Sequence, residues 1–330
     1  MQTRILGRDL SVSAIGLGCM GFSHAYGAPT EEKEVIRLLH RAVEMGYTFF
    51  DTAQVYGIPE DPHINERLVG KALSTCRNKV TIATKFGLQF DFNSGKLPLP
   101  LIPDSRPVTI RKSVEDSLRR LQTDHIDLYF QHRIDPQVPP EDVAGVMSDL
   151  IREGKITHWG ISEANEKYLR RANSVCPVTA VQNRYSMMAR SCEQLFPVLE
   201  EMGVGLVAFS PMANGFLTGR YGKGVQFDRQ HDYRSAMPQF TAEAAELNGP
   251  LLELLHNTAE KKGATPAQIS LAWMLCKRPW IVPIPGTRKE ERMEENAAAA
   301  DVVLSEEEIK ALDQALDTMK MSDVFGVEKQ

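Results

Sequence analysis

Eight short apolar runs alternate with segments of helical periodicity along this chain, at residues 14–17, 48–50, 80–84, 126–130, 156–161, 179–181, 204–209 and 280–284. The runs are predominantly apolar rather than strictly alternating, as strands buried on both faces of a parallel sheet are. Val35, Leu38, Leu39, Ala42 and Val43 follow the i, i+3, i+4, i+7, i+8 spacing of an amphipathic helix, between Thr30 and Gly46 as start and stop signals. Val143, Val146, Met147, Leu150 and Ile151 repeat it, behind Pro139-Pro140 and ahead of Gly154. Further helices are expected at 110–121, 192–202, 266–277, 288–300 and 305–316, the last opened by a capping box of Ser305 and Glu308. This alternation predicts an α/β fold, a (β/α)8 barrel, with an open doubly wound sheet as the structural alternative.

The segment 1–13 alternates polar and apolar residues around Gly7-Arg8-Asp9 and reads as a hairpin outside the barrel. No linker or low-complexity tract divides the chain, so one domain over 1–330 is expected. Two long loops stand out: 87–106, with Pro98, Pro100 and Pro103, and 213–248, rich in Gly, Gln and charge. Such loops are functional lids or disordered segments.

Composition narrows the function classes. Hydrophobic residues at 42% and charged residues at 25% exclude a disordered or fibrous chain. The net charge of −5 argues against nucleic acid or an anionic membrane as partner. No apolar run approaches the ~20 residues that span a bilayer, and the N-terminus lacks the basic start and cleavage site of a signal peptide. Five widely spaced cysteines without a C-x-x-C fit free thiols in a reducing cytoplasm.

Barrel active sites lie at the C-terminal ends of the strands, and there the second to seventh apolar runs stop on hydrogen-bonding groups. The second run ends at Asp51, the third at Lys85, the fourth at His132, and the later ones at Ser162-Glu163, Gln182-Asn183 and Ser210. Tyr56 follows Asp51 by five residues. Singly, each has a bland reading: a turn cap, a snorkelling lysine, a structural histidine, a wall residue. Together they form a proton-donating set. A phenol with pKa near 10 is a weak acid at neutrality, and an adjacent ammonium stabilises its phenolate and is expected to lower that value. A carboxylate holds the lysine, and an imidazole can bond a substrate oxygen. That set suits protonation of a carbonyl oxygen while hydride reaches carbon, and hydride must come from a nicotinamide or flavin.

Over essentially its whole length the sequence resembles an aldo-keto reductase. The resemblance rests on Gly16-Leu17-Gly18-Cys19-Met20-Gly21, the stretch 50–57 with Asp51 and Tyr56, Thr84-Lys85, Asp127-Leu128-Tyr129 and His132. It continues through Gly154-Lys155-Ile156, Trp159-Gly160-Ile161-Ser162, Ile284-Pro285-Gly286-Thr287 and Glu295-Asn296. His132-Arg133-Ile134-Asp135 and Ile161-Ser162-Glu163 look most like the perakine-reductase-like branch. The resemblance implies a monomeric or loosely oligomeric barrel using NADPH without metal. Tyr56 would be the general acid, Lys85 its partner, Asp51 the lysine's partner, and His132 the residue orienting the carbonyl. Cys19, Met20 and Asp51 would border the cofactor, and Phe209 would stack on its nicotinamide. Ser162, Glu163 and Gln182 would hold the carboxamide. Ser210, Met212, Gly215 and Leu217 would line the pyrophosphate. Gly286, Thr287, Arg288 and Arg292 would take the 2′-phosphate, with Glu295 and Asn296 near the adenine. Many relatives carry Asn at Glu163 and Tyr at Phe209, so the acidic side chain loses a donor and the ring a hydroxyl.

A helix opening after Gly286-Thr287 offers free N–H groups and positive dipole to an anion, and Arg288 and Arg292 are neighbours on it. Read alone, the same helix is equally a solvated charged face, with Lys289, Glu290, Glu291 and Glu294 around them. Three rival readings remain. The G-x-G-x-x-G at 16–21 suits a Rossmann dehydrogenase, but 22–29 separates it from the helix and Asp51 lies 30 residues past Gly21 where about 20 is expected. A cofactor-holding redox-sensing subunit with slow turnover is the second. A metal hydrolase is the third, disfavoured because no H-x-H or H-E-x-x-H occurs. The substrate loops are Gln54-Val55, 86–106, 133–136 and 213–248. Their Phe86, Phe90, Phe92, Leu97, Leu99, Leu101, Phe216, Tyr221 and Phe227 suggest an apolar pocket for a small-molecule aldehyde or ketone.

Overall fold

The computed structural model describes residues 1–96, 99–221 and 224–325; Leu97 and Pro98 of the first long loop lie outside the described residues. Eight strands form the central sheet: β1 (Leu17–Gly18), β2 (Phe49–Asp51), β3 (Thr81–Phe86), β4 (Ile126–Gln131), β5 (Ile156–Ser162), β6 (Ala180–Arg184), β7 (Gly205–Phe209) and β8 (Ile281–Pro283). Each pairs in parallel with its sequence neighbour. The first and last strands also meet. Gly18 bridges Gly286 in parallel, and Gly16 N–H donates to Pro283 O at 2.9 Å. The sheet therefore closes into a (β/α)8 barrel, and the open-sheet alternative falls.

The seam explains two glycines. A Cβ on Gly18 would lie 2.8 Å from Ile284 O, and one on Gly286 would lie 2.8 Å from Gly18 O. The first two glycines of the G-x-G-x-x-G stretch thus serve strand closure.

Period-two alternation divides the barrel into levels. Phe49, Ala83, Leu128, Phe130, Ala180, Val207 and Val282 pack together inside the ring as one apolar cluster. Two residues further along three of these strands come Asp51, Lys85 and Gln182. The outward residues Phe50, Ile82, Tyr129, Trp159, Ile161, Val181 and Leu206 join the larger core beneath the helices.

The N-terminal hairpin (Thr3–Leu6 with Leu10–Ser13) is present, turned by Gly7 at φ +63°. Its Leu6, Leu10 and Val12 belong to the interior cluster. It lies outside the strand ring as expected, yet it plugs the end opposite the polar level.

The helices are α1 (Glu32–Glu44), α2 (Ile64–Leu73), α3 (Pro107–Leu121), α4 (Pro140–Arg152), α5 (Glu166–Val175), α6 (Phe196–Met202), α7 (Ala242–Leu247), α8 (Gly249–Lys262), α9 (Pro266–Lys277), α10 (Glu290–Ala298) and α11 (Glu306–Thr318). Helix α1 buries Val35, Leu38, Leu39 and Ala42, but Glu31 rather than Thr30 is its N-cap. The expected helix at 192–202 is a 3-10 turn (Ser191–Leu195) followed by α6. Helix α10 starts two residues later than expected, at Glu290. The Ser305–Glu308 capping box is formed. Helices α2, α5, α7 and α8 were not expected. The loop 87–106 carries a small hairpin (Leu88–Phe90 with Leu101–Pro103), and 213–248 carries 3-10 turns and α7. Among the described residues no helix is long and apolar enough to cross a membrane.

Candidate active site

Lys85, with no exposed surface, points inward from the end of β3. Its ammonium donates to Asp51 Oδ1 at 2.6 Å, to Thr52 O at 2.8 Å and to the Tyr56 hydroxyl at 3.2 Å. All three N–H donors are used, which is what a buried ammonium requires. Asp51, at the end of β2, takes a second bond on Oδ2 from Gln182 Nε2 of β6 at 2.8 Å. Tyr56 stands on the turn after β2, its N–H bonded to Ala53 O. The Lys85 ammonium lies 4.8 Å from its ring centroid. The His132 ring meets the Tyr56 ring edge-on at 5.7 Å and 86°.

Burial disfavours the Lys85 ammonium, but Asp51 and Tyr56 outweigh it and hold the lysine pKa above its ordinary value. Burial also raises the Tyr56 pKa, and Lys85 pulls it back only in part. The net direction therefore reverses the sequence expectation of a lowered phenol pKa, because desolvation is the larger effect. Burial, with the nearby cations Lys85 and Arg133, pushes His132 well below its ordinary value. Its imidazole is neutral at physiological pH. His132 Nδ1 is sealed without a partner among the described residues, so a proton on Nε2 leaves only a lone pair unpaired.

The four expected catalytic side chains thus converge. Around them, Ser162 Oγ accepts from Arg133 Nη1 at 3.2 Å, and the same nitrogen donates to His132 O at 2.7 Å. Glu163 has φ +53°, and its carboxylate accepts Arg184 N–H at 3.2 Å. The Phe209 ring ends β7 with the Arg184 guanidinium 5.8 Å away. Cys19 is buried, and its N–H donates to Asp51 O at 2.8 Å; Met20 opens the following 3-10 turn.

Ser210, Ala213, Asn214 and Gly215 all have positive φ. The Gly215 and Leu217 N–H groups both donate to Met212 O, at 2.9 and 3.2 Å, and the Leu217 side chain is in the core. The loop 213–248 is stitched to the loop after β1 by Gly27 N–H to His231 O at 2.8 Å and Tyr233 N–H to Ala25 O at 3.0 Å.

At the start of α10, Thr287 Oγ1 accepts Lys289 N–H at 3.1 Å, and no side chain caps the helix. Arg288 donates to Tyr26 O and, at 2.9 Å, to Ala28 O. Arg292 pairs with Glu295 at 2.8 Å. The buried Asn296 Nδ2 and Asn214 Oδ1 lack partners among the described residues. Unpaired buried polar atoms are costly, so these positions suit a polar ligand such as a dinucleotide.

Sequence reading missed Ser23, His24, Thr52 and Asn65, which surround the Tyr56 turn. They are short polar residues in no recognisable spacing.

The barrel buries a lysine–aspartate pair beneath a phenol at the C-terminal ends of its strands. The Aldo/keto reductase family model matches residues 14–317. A probable aldo-keto reductase of Glycine max is 41% identical over 322 residues, covering 97% of this chain and 89% of that protein. The structure of a glycerol dehydrogenase from Gluconobacter oxydans superposes with a TM-score of 0.86 at 29% identity, covering 99% of this chain and 98% of that one. The holo form of an aldo-keto reductase from Bacillus halodurans superposes with a TM-score of 0.77 at 28% identity, covering 100% and 99%. The chain belongs to the aldo/keto reductase family.

Proposed function

We propose that this protein reduces small aldehydes and ketones to alcohols with NADPH, Tyr56 acting as the general acid. The observation that carries this reading is the Lys85 ammonium bonded at once to the Tyr56 hydroxyl and to Asp51. When bound, the dihydronicotinamide supplies the hydride. Tyr56 gives its proton to the carbonyl oxygen, and Lys85 stabilises the phenolate left behind. Asp51 keeps the lysine charged. Neutral His132 donates from Nε2 and orients the carbonyl oxygen beside the phenol.

Residues Cys19, Met20, Ser162, Glu163, Gln182, Phe209, Ser210, Met212, Gly215 and Leu217 border the nicotinamide and pyrophosphate in this reading. Gly286, Thr287, Arg288 and Arg292 select NADPH over NADH, and Glu295 and Asn296 face the adenine. The uncapped start of α10 supports an anion there. The variants His132–Asp135 and Ile161–Glu163 support a reading of the chain as a member of the perakine-reductase-like branch. We take it to work as one domain in the cytoplasm, on small molecules rather than nucleic acid or membrane.

The test is NADPH oxidation against a panel of small aldehydes and ketones, beside a folded Tyr56→Phe variant. Multiple turnover that collapses in the variant while NADPH still binds is the expected result. Binding without turnover of any carbonyl would point instead to a sensing subunit.

A further inference from the structure

Tyr56 sits on a turn, yet its hydroxyl must be held against a lysine fixed inside the barrel. The structure contains a closed circuit that does this. Lys85 Nζ donates to Thr52 O at 2.8 Å, and the Thr52 hydroxyl donates to Asn65 Oδ1 at 2.6 Å. Asn65 Nδ2 donates to Ser23 Oγ at 2.6 Å and to Cys19 O at 3.0 Å. Ser23 Oγ donates to Tyr56 O at 2.8 Å, and Lys85 closes the circuit at the Tyr56 hydroxyl. Beside it His24 Nδ1 donates to Gly57 O at 2.7 Å, and its ring stacks on Tyr56 at 5.9 Å and 23°.

We propose that Ser23, His24 and Asn65 are positioning residues, a clamp that sets the distance between the Tyr56 phenol and the Lys85 ammonium. The proposal rests on Tyr56 being the general acid.

Three features support it. Ser23, Thr52 and Asn65 are all buried, at 1%, 0% and 0% exposed, so water cannot substitute for a lost bond. The donor inventory leaves one arrangement: both Asn65 N–H bonds are spent on oxygens, and turning the amide over would set Oδ1 against Cys19 O. The clamp also grips two successive carbonyls, those of Tyr56 and Gly57, so the phenol turn cannot drift without breaking two bonds. The stem Asn65 belongs to the first turn of α2, and the jaws Ser23 and His24 follow the 3-10 turn Met20–Phe22. Asn65 thus fixes Ser23, and Ser23 in turn fixes the Tyr56 backbone, so α2 acts on the phenol turn through the loop after β1.

Loosening the clamp lets the phenol move from Lys85, and its acidity then falls because less of the phenolate charge is compensated. The ionisable groups around Tyr56 are Lys85 and Asp51 below it, Arg133 and His132 from the end of β4, His24 from the loop after β1, and Tyr233 from the loop 213–248. A Ser23→Ala change leaves all of these charges in place and alters only geometry.

The experiment measures kcat, the KM for NADPH, the pH profile and the isotope effect with deuterated NADPH for Ser23→Ala, Ser23→Thr and His24→Phe. Misplacement of a reacting group by about 1 Å costs on the order of 100-fold. Ser23→Ala is expected to lower kcat about 10- to 100-fold, with little change in KM for NADPH. Its basic limb moves to higher pH and its isotope effect grows. Ser23→Thr, which keeps the hydroxyl, restores the kcat and the limb. A Ser23→Ala enzyme matching the parent in kcat and pH limb overturns the clamp while Tyr56→Phe is inactive. So does a fall in kcat that follows lost folded fraction with the limb unmoved. Should Tyr56→Phe remain active, the acid assignment fails and the clamp fails with it.

Discussion

Gln182 reaches from β6 to the Asp51 carboxylate on β2, its Nε2 2.8 Å from Oδ2. The two strands stand opposite each other in a ring of eight, so this one bond spans the barrel mouth. The side chain expected to hold a carboxamide is already committed to the carboxylate that holds Lys85. In Gln182→Leu, Asp51 Oδ2 loses its partner inside a buried site. Such a group costs about 1–3 kcal/mol, and urea denaturation should show a loss of that size.

Removing Lys85 goes further. Lys85→Met leaves Asp51 as a buried charge without its counter-ion, a change that costs about 3–5 kcal/mol when one partner of a buried pair is deleted. The double variant Lys85→Met with Asp51→Asn should recover much of that loss, and both should be inactive. Denaturation midpoints measured for the three proteins give the answer. A double variant no more stable than the single one would deny the buried-pair account.

Acid stability follows from two histidines. Burial lowers the pKa of both His24 and His132 in the folded state. As pH falls below about 6.5, the ordinary histidine value, the unfolded chain binds protons that the folded chain refuses. Stability is therefore full above that pH and declines below it, by up to about 1.4 kcal/mol per pH unit for each histidine. The melting temperature should drop between pH 7.5 and 5.5. In a His24→Gln, His132→Asn variant that drop should be shallower.

The hairpin plug is separable from chemistry. Leu6 is fully buried in the interior cluster, and Leu6→Ala should cost about 2–5 kcal/mol. Turnover of the folded fraction at low temperature should match the parent. A large change in kcat would mean that the plug transmits strain to the polar level.

Cofactor choice tests the start of α10. Arg288→Met should reduce the ratio of kcat/KM for NADPH over NADH by roughly tenfold or more, in line with loss of one charge-assisted bond. Steady-state kinetics with both cofactors measure it. An unchanged ratio would move the 2′-phosphate away from Arg288.

Much of this was legible in the chain because buried parallel strands write themselves as bare apolar runs. The strand-end residues Asp51, Lys85 and His132 could be placed by counting from those runs. Tyr56 followed from Asp51. The first strand was the least legible: only Leu17–Gly18 joins a ladder to β2, because the chain before it turns toward β8. Helix α2 was hidden because its buried face includes Asn65 and Glu66. Glu66 lies there against Thr84 and Arg120, and polar burial erases the apolar stripe. Helix α5 did carry a signal, Asn165 accepting Tyr168 N–H at its N-cap. In α8, Leu251, Leu255 and Ala259 recur at helical spacing. The residues behind Tyr56 left no trace, since hydrogen bonds between distant loops have no period.

The level structure of the barrel bears on how relatives of this chain diverge. One residue inserted within β2 or β3 would turn Asp51 or Lys85 out toward the helices and bring Phe50 or Thr84 in. Such a lineage would lose the buried lysine–aspartate pair. Insertions and deletions are instead tolerable in segments such as 87–106 and 213–248. Substrate range can therefore be rewritten by changes in loop length, while the ammonium and its carboxylate are inherited at fixed strand positions.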